Sequence, residues 1–143
     1  MTGRVVLITG GNRGIGLATA RRFAAAGYRV AVTARSGSAE DTDGILVVKC
    51  DVTNTDSVNA AVDEIEETLG NVEILVSNAG ITKDGLTLKM SDESFESVID
   101  ANLTGGFRVA RRVVKSMMRG RWGRMIFVSS VAGIGGNPGQ ANY

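Results

Sequence analysis

The sequence predicts an α/β fold in which one domain, residues 1–143, forms a doubly wound parallel sheet. Short apolar runs alternate with segments whose apolar residues recur every three to four positions, as strands and helices alternate in such sheets. Glycine is abundant, with 19 residues, and there is one proline, which suits tight turns and uninterrupted helices. The length of 143 residues is that of a single domain.

Five strands are predicted, at residues 5–9, 29–34, 45–50, 73–77 and 124–129. Each is a short run rich in apolar residues, as expected for strands buried on both faces. We expect the order 3-2-1-4-5, which places the fifth strand at an edge although residues 125–128 are all apolar. Such an edge needs a neighbouring strand and helix cover. We therefore expect that the C-terminal strands are missing and that these residues alone are aggregation-prone.

Three helical regions separate the strands. The first spans about residues 15–26, and Gly27 follows it as a C-terminal stop. In the second, residues 58, 61, 62, 65 and 69 are apolar and lie on one face of a helix that ends at Gly70. The third begins after its expected N-cap, Ser91, and reaches about Arg119, with or without a break. A polar loop at residues 36–44 joins the second and third strands.

The composition excludes several classes of protein. The net charge is +1, too small to attract nucleic acid or a membrane surface. No histidine is present, which excludes histidine-based triads and most zinc sites, so we predict no metal site. The one cysteine, Cys50, cannot form an internal disulfide and fits a reducing compartment. Because we find no signal peptide and no apolar run of membrane-spanning length, we expect a cytoplasmic location.

A glycine-rich loop, Thr-Gly-Gly-Asn-Arg-Gly-Ile-Gly at residues 9–16, follows the first strand and opens the first helix. Such a loop aims backbone N–H groups and a helix N-terminus at an anion such as a pyrophosphate. Gly10 permits the tight turn, Gly14 permits close approach of a ligand, and Gly16 lets helix pack on sheet. A structural turn is the alternative, but the context favours dinucleotide binding by a Rossmann-type domain. The candidate binding residues are Gly10, Asn12, Arg13, Gly14, Ile15 and Gly16.

Further motifs follow in the order of one known family. They are Cys50-Asp51-Val52 after the third strand, Ser77-Asn78-Ala79-Gly80 after the fourth, Ala101-Asn102-Leu103 in the long helical region, and Ser130 with Tyr143 thirteen residues later. Together with the spacing Gly-x-x-x-Gly-x-Gly, they resemble the short-chain dehydrogenase/reductase family over the whole chain. Within that family, the chain resembles the 3-oxoacyl-[acyl-carrier-protein] reductases in the strings GGNRGIGLA, SNAGIT, NLTGGFRVA, GRMIFVSS and GQANY.

The resemblance implies NADPH-dependent reduction of 3-oxoacyl thioesters of acyl carrier protein, or of coenzyme A, in fatty-acid elongation. Tyr143 would donate a proton to the developing alkoxide, Ser130 would hydrogen-bond to it, and Asn102 would join a water-linked proton relay at a helical distortion. The alternatives are another short-chain reductase of ketones or acyl-CoA esters, and an inactive nucleotide-binding fragment.

The same resemblance raises a question about activity. In the family, a lysine four residues after the tyrosine provides a positive charge that lowers the pKa of the phenol. No lysine follows Lys115 in this sequence. We therefore expect that the sequence is truncated after its catalytic tyrosine and that these residues alone are inactive.

The resemblance also implies cofactor contacts outside the glycine-rich loop. Asp51 would bind the adenine amino group, Val52 would contribute a backbone contact, and Asn78, Ala79 and Gly80 would pack against a ribose. The residues alone leave simpler alternatives open. Asp51 is then a carboxylate that caps the next helix, and residues 78–80 are a strand-end turn.

The end of the second strand indicates NADP(H) as the cofactor. Proteins that bind NAD place an acidic residue there for the ribose 2′-OH, whereas an arginine nearby accommodates the 2′-phosphate of NADP. Here residues 33–36 contain Arg35 and no carboxylate, and Arg13 of the glycine-rich loop can approach the same region. Two guanidinium groups suit a phosphate dianion. The alternative is two solvated surface arginines.

Residues 108–124 contain basic but no acidic residues. Five of the basic residues share one helix face: Arg108, Arg111, Arg112, Lys115 and Arg119. An apolar set lies roughly opposite them: Leu103, Phe107, Ala110, Val114 and Met117. The basic residues are either solvated or dock an acidic acyl carrier protein, with Arg119 and Arg121 as the candidates. The resemblance also implies a homotetramer that uses this helix and the next. We expect neither nucleic acid nor a membrane as a partner.

Two assignments stay open from the residues alone. Leu86, Leu88 and Met90 either line an acyl pocket or belong to the core. Ser130 is either catalytic or a turn serine, and the spacing to Tyr143 selects it over Ser129.

Overall fold

The computed structural model describes residues 3–39 and 42–143. Within them it has five strands: β1 (Val5–Thr9), β2 (Arg29–Ala34), β3 (Ile45–Lys49), β4 (Val72–Ser77) and β5 (Arg124–Phe127). They form one parallel sheet in the order β3-β2-β1-β4-β5. The predicted doubly wound α/β fold and its strand order are confirmed. The loop predicted at residues 36–44 includes residues 40–41, which lie outside the described residues.

Helices cover both faces of this sheet. They are α1 (Gly14–Ala25), α2 (Thr55–Leu69), α3 (Asp92–Ile99), α4 (Gly105–Arg119) and the short α5 (Ala132–Gly135). A 3₁₀ turn spans Thr87–Lys89, and a π-helical segment, Asp100–Thr104, joins α3 to α4. No described helix is long and apolar enough to cross a membrane.

The alternation of side chains along β1 divides the core into two layers. Leu7 faces one cluster, with Ile65 of α2 and Val113 of α4. Ile8 faces the other cluster, with Ala20 of α1 and Val32 of β2. Every side chain of β1 is buried, because helices lie on both sides of a central parallel strand. This rigid centre ends at Thr9, where the glycine-rich loop begins.

The helix ends follow the predicted signals. Gly27 (φ 87°) and Gly70 (φ 96°) both have the left-handed backbone that stops a helix most easily at glycine. The side chain of Ser91 accepts a hydrogen bond from Ser94 N and caps α3, as predicted. Asn54 caps α2 through Ser57 N at 2.9 Å. The alternative in which Asp51 caps that helix is therefore wrong.

The apolar face predicted for α4 is partly wrong. Met117 is buried together with Val109 and Val113, whereas Leu103 and Phe107 are 68% and 56% exposed. Residues spaced by four, at 109, 113 and 117, face the sheet, so the apolar surface is wider than one face and only part of it reaches the core. We call the remainder the exposed stripe: Leu103, Phe107, Val114 and Met118.

The fifth strand lies at an edge of the sheet, as predicted. Ile126 and Phe127 are 48% and 56% exposed, and Val128 N extends the pairing by donating to Ser77 O at 2.9 Å. Leu86 and Leu88 are also exposed. The alternative that these two leucines belong to the core is wrong, because the 3₁₀ turn that carries Leu88 lies on the surface.

Candidate functional site

The glycine-rich loop leaves β1 through a turn that excludes side chains. Gly10 has φ 63°, and a Cβ there would lie 2.9 Å from the Cα of Ala79. A Cβ on Gly16 would lie 2.4 Å from Gly10 O and 2.6 Å from the Nδ2 of Asn78. Gly14 also has a left-handed backbone (φ 54°), but a Cβ there would have no neighbour within 4 Å. The loop is thus tightly packed at its two ends and open at Gly14.

Side chains at the ends of β1 and β4 lock the loop in place. The buried Thr9 Oγ1 accepts hydrogen bonds from Asn78 N and Ala79 N, both at 3.0 Å. In return, Asn78 Nδ2 donates to Thr9 O at 3.0 Å and to Gly10 O at 3.1 Å. Four hydrogen bonds therefore fix the start of the loop to the end of the neighbouring strand. This supports a structural role for Asn78 and leaves room for a ligand contact by residues 79–80.

A cavity of about 370 Å³ opens at this carboxyl edge of the sheet, the edge where open α/β sheets bind ligands. All twelve predicted cofactor-binding residues line it: Gly10, Asn12, Arg13, Gly14, Ile15, Gly16, Arg35, Asp51, Val52, Asn78, Ala79 and Gly80. Sequence reasoning missed further lining residues, among them Ile81 and Ala101. Ile81 lies in the string SNAGIT and Ala101 in the motif Ala101-Asn102-Leu103, so membership of these motifs was the available signal.

One wall of the cavity is the N-terminus of α1. Arg13 is the N-cap residue, but its side chain makes no capping hydrogen bond, and the first turn of α1 contains no acidic residue. The N–H groups of that turn therefore have no competing anion from the helix itself, and the positive end of the helix dipole points at the cavity. Ile15 is 69% exposed beside it. This chemistry suits a phosphate group and leaves an apolar surface next to it.

The lining of the cavity also includes a carboxylate with a fixed orientation. Asp51 Oδ1 accepts hydrogen bonds from Thr53 Oγ1 at 2.7 Å and from Thr53 N at 2.9 Å. These bonds, helped by the charges of Arg35 and Arg108, hold the pKa of Asp51 below its ordinary value of 3.8. Next to it, burial raises the pKa of the Cys50 thiol to about 11, against the effect of a hydrogen bond with Ser57. Asp51 is therefore an ionised acceptor at neutral pH, and Cys50 is a neutral thiol.

Asn102 lies in the π-helical segment, a distortion that recurs at functional sites. Its Oδ1 accepts from Ile81 N at 2.8 Å, and its Nδ2 donates to Ile81 O at 3.0 Å. The amide thus clamps both main-chain groups of a residue that lines the cofactor cavity. The helical distortion expected at Asn102 is present, and the clamp is a contact that the sequence did not indicate.

Ser130 and Tyr143 line a second cavity, of about 640 Å³. Ser130 Oγ accepts a hydrogen bond from Ala132 N at 3.2 Å, and Tyr143 is 44% exposed. Thr82 also lines this cavity, whereas Gly80 and Ile81 line the first. Residues 80–82 therefore run from the lining of the first cavity to that of the second, and Asn102 is hydrogen-bonded to Ile81 within this stretch. Of the three predicted catalytic residues, Ser130 and Tyr143 line the second cavity, whereas Asn102 lines neither cavity and contacts Ile81.

Comparison with known proteins identifies the family. A family model described as short chain dehydrogenase matches residues 4–143. The chain belongs to the short-chain dehydrogenase family. A protein named 3-oxoacyl-[acyl-carrier-protein] reductase MabA, from Mycobacterium tuberculosis, is 55% identical over 140 residues, which cover 98% of this chain and 56% of that protein.

Two further relatives are less similar to this chain. A 3-oxoacyl-[acyl-carrier-protein] reductase from Synechocystis is 42% identical, covering all of this chain and 62% of the relative. Nodulation protein G from a Rhizobium species is 43% identical, covering all of this chain and 61% of the relative. The chain therefore spans about three-fifths of the length of the curated relatives it matches.

Membership of the short-chain dehydrogenase family implies a nicotinamide cofactor, NAD(H) or NADP(H). The first cavity fits such a group. Gly10 and Gly16 close the loop so tightly that side chains are excluded, and the uncapped N-terminus of α1 offers amide groups to a pyrophosphate. The volume lies within the usual range for small-molecule sites.

Proposed function

We propose that the protein reduces 3-oxoacyl thioesters of acyl carrier protein to 3-hydroxyacyl thioesters in fatty-acid elongation, with NADPH as reductant. One observation carries the proposal. In a chain 55% identical to a protein named for this reaction, the predicted dinucleotide residues line one cavity, and Ser130 and Tyr143 line a second one that includes the neighbouring residue Thr82. Such a pair of cavities can bring a hydride donor and a proton donor to one carbonyl group.

In this mechanism, a nicotinamide cofactor held by the residues of the glycine-rich loop would supply the hydride for the 3-keto carbon. The Tyr143 hydroxyl gives its proton to the oxygen that gains negative charge, and the Ser130 hydroxyl donates a hydrogen bond to the same oxygen. Asn102 holds Ile81, which lines the first cavity, and takes part in a water-linked relay that returns a proton to the tyrosine. Because Tyr143 is 44% exposed, solvent can resupply that proton.

Arg13 and Arg35 support the choice of NADPH over NADH. Both are exposed on the rim of the first cavity, and Arg35 lies close enough to Asp51 to lower the pKa of its carboxyl. A 2′-phosphate at this rim would meet two guanidinium groups. Each substitution, Arg13→Ala or Arg35→Ala, is expected to raise KM for NADPH about tenfold and to leave KM for NADH within twofold. Arg22→Ala, on the exposed last turn of α1, is the control.

The activity is tested with the full-length protein by following NADPH oxidation at 340 nm with 3-oxoacyl thioesters of acyl carrier protein. Tyr143→Phe is expected to lower kcat at least 10²-fold. Tyr28→Phe is the matched control, because Tyr28 packs edge-to-face on Phe23, away from both cavities. Turnover that survives Tyr143→Phe would contradict the proposed acid. A preference for coenzyme A esters or simple ketones would instead assign the protein to another short-chain reductase activity.

Arg119 and Arg121 are the proposed contacts for the acidic carrier protein. Arg119 ends α4 and lines a groove of about 450 Å³ together with Arg111 and Lys115, and Arg121 follows with an exposed side chain and φ 52°. Charge reversal, Arg119→Glu with Arg121→Glu, is expected to raise KM for carrier-protein thioesters about tenfold at low salt. KM for the matching coenzyme A thioester is expected to stay within twofold. An equal effect on both substrates would contradict docking at this site.

The exposed stripe of α4 supports a homotetramer. Its four large apolar side chains are 37–73% exposed, and an apolar patch of this kind commonly marks a protein–protein contact. Light scattering of the full-length protein is expected to give the mass of a tetramer, and Phe107→Glu with Met118→Glu is expected to lower that mass. A wild-type monomer would contradict the assembly.

We also propose a cytoplasmic location for the enzyme.

A further inference from the structure

Asn142 is buried immediately before the tyrosine. It is 4% exposed, whereas Ala141 and Tyr143 on either side are exposed. Its Nδ2 donates to Lys83 O at 2.9 Å and to Ser94 O at 3.2 Å. Both hydrogens of the amide therefore bind main-chain carbonyls of segments 59 and 48 residues away in sequence.

These bonds belong to a strap, residues 139–142, which lies along residues 83–85. Gly85 N donates to Gly139 O at 2.8 Å, and Gly85 pairs with Gln140 as an isolated parallel bridge. On the exposed side, Gln140 Nε2 donates to both carboxylate oxygens of Asp84, at 3.1 and 3.2 Å. The strap is thus bound by backbone, by an exposed side chain and by the buried amide of Asn142.

The contacts of Asn142 allow only one orientation of its side-chain amide. Turning the amide over would set Oδ1 against two carbonyl oxygens, so the two contacts assign Nδ2 to that side. Its Oδ1 is buried and accepts no hydrogen bond from the part of the chain that the structure describes. An unpaired buried acceptor lowers stability, which offsets part of the stability contributed by the two hydrogen bonds that Nδ2 donates. Asparagine at this position is therefore better explained by the geometry that Nδ2 imposes than by stability.

We propose that Asn142 is a positioning residue, which holds the main chain next to Tyr143 on residues 83 and 94 and so directs the phenol into the cavity shared with Ser130. The inference rests on the proposed function, in which Tyr143 is the proton donor. Residues 83 and 94 flank the exposed Leu86 and Leu88, so the same contacts connect the segment that carries these leucines to the proposed proton donor. Asn142 itself touches neither substrate nor cofactor and acts through Tyr143.

The decisive variant is Asn142→Asp, because it keeps the shape and replaces the donor by an acceptor. At neutral pH a carboxylate would face the two carbonyl oxygens, so the strap would separate from residue 83. Burial and the carbonyls raise the pKa of such a carboxyl, so lowering the pH restores one donated hydrogen bond. Asn59→Asp, on the exposed surface of α2, makes the same change with no contact to the strap. The two variants share the same charged side chains on the contacted segments, so these charges do not distinguish the variants: Lys83, Asp84, Asp92 and Glu93.

In the full-length protein at pH 7, Asn142→Asp is expected to lower kcat 10- to 100-fold, as misplacement of a catalytic group by about 1 Å does. KM for NADPH is expected to stay within twofold, and kcat relative to wild type is expected to recover as the pH falls toward 5. Wild-type kcat in a folded Asn142→Asp protein, or a relative kcat independent of pH, would overturn the proposal.

Hydrogen exchange separates failure of this inference from failure of the proposed function. Amides of residues 83–94 in Asn142→Asp, Gly85 above all, are expected to exchange at least tenfold faster than in Asn59→Asp. Unchanged exchange would show that Asn142 does not hold the strap and would overturn the proposal whatever the activity. A wild-type protein without turnover would overturn the proposed reaction and the positioning role, even if the exchange result showed that the strap exists.

Discussion

Replacing Thr9 by valine tests how the glycine-rich loop is held. Thr9 is 1% exposed, and its hydroxyl accepts two N–H groups, from Asn78 and Ala79, at 3.0 Å each. Valine has the same shape but cannot accept a hydrogen bond, so both N–H groups lose their acceptor at a cost of about 1–3 kcal/mol each. The added buried methyl returns about 0.8 kcal/mol. We expect Thr9→Val to lower the free energy of unfolding by about 3 kcal/mol.

The assay is urea unfolding of the full-length protein, followed by far-ultraviolet circular dichroism at pH 7. The matched control is Thr33→Val, which makes the same change at a buried position (2% exposed) on the adjacent strand β2. The hydroxyl of Thr33 accepts neither of the two N–H groups, so we expect a change within about 1 kcal/mol. Equal midpoints for the two variants, with equal slopes, would refute the argument that these bonds hold the loop.

Three further changes probe the site and its support. Gly16→Ala is expected to weaken NADPH binding at least tenfold by calorimetry, because the Cβ of the alanine would lie 2.4 Å from a backbone oxygen. A Cβ at residue 14 has free space, so Gly14→Ala is expected to lower the free energy of unfolding by only about 1–2 kcal/mol, through its left-handed backbone. Hydrogen bonds lower the pKa of Asp51 from 3.8, so its carboxylate stabilises the fold above about pH 4, and this contribution is lost as the pH falls through the lowered pKa. The difference in unfolding free energy between wild type and Asp51→Asn should therefore narrow below about pH 4 in acid titrations. Arg112→Met removes ion pairs to two carboxylates of α2. We expect it to lower the free energy of unfolding, measured with urea, by about 1 kcal/mol at low salt and by less in 1 M salt. A loss that does not depend on salt would contradict an electrostatic origin.

The sequence predicts the local elements well because local physics determines them. A continuous apolar run buried on both faces has few alternatives to a central parallel strand. Gly27 and Gly70 end helices because their left-handed backbone is unfavourable for other residues. The cofactor cavity follows from the same logic, since the loops after parallel strands all meet at one edge of the sheet.

Contacts between distant segments were not predictable in this way. The clamp of Asn102 on Ile81 spans 21 residues, and the bond of Asn142 to Lys83 spans 59. No local pattern marks them, because an asparagine amide can bind any main-chain group that the fold brings near. The error on α4 has a related cause. Periodicity shows which side chains share a helix face, but only the position of the sheet decides that Met117 is buried while Phe107 is exposed.

Residues 80–85 determine how the two cavities can cooperate. Gly80 and Ile81 line the proposed cofactor cavity, and Thr82 lines the cavity of Ser130 and Tyr143. Asn102 holds this stretch at Ile81, and Asn142 holds it at Lys83 O, two residues further on. In the proposed reaction, hydride and proton reach one carbonyl group from the two cavities, so their separation must be constant. Two asparagine amides bound to main-chain groups provide that constraint independently of the side chains between them.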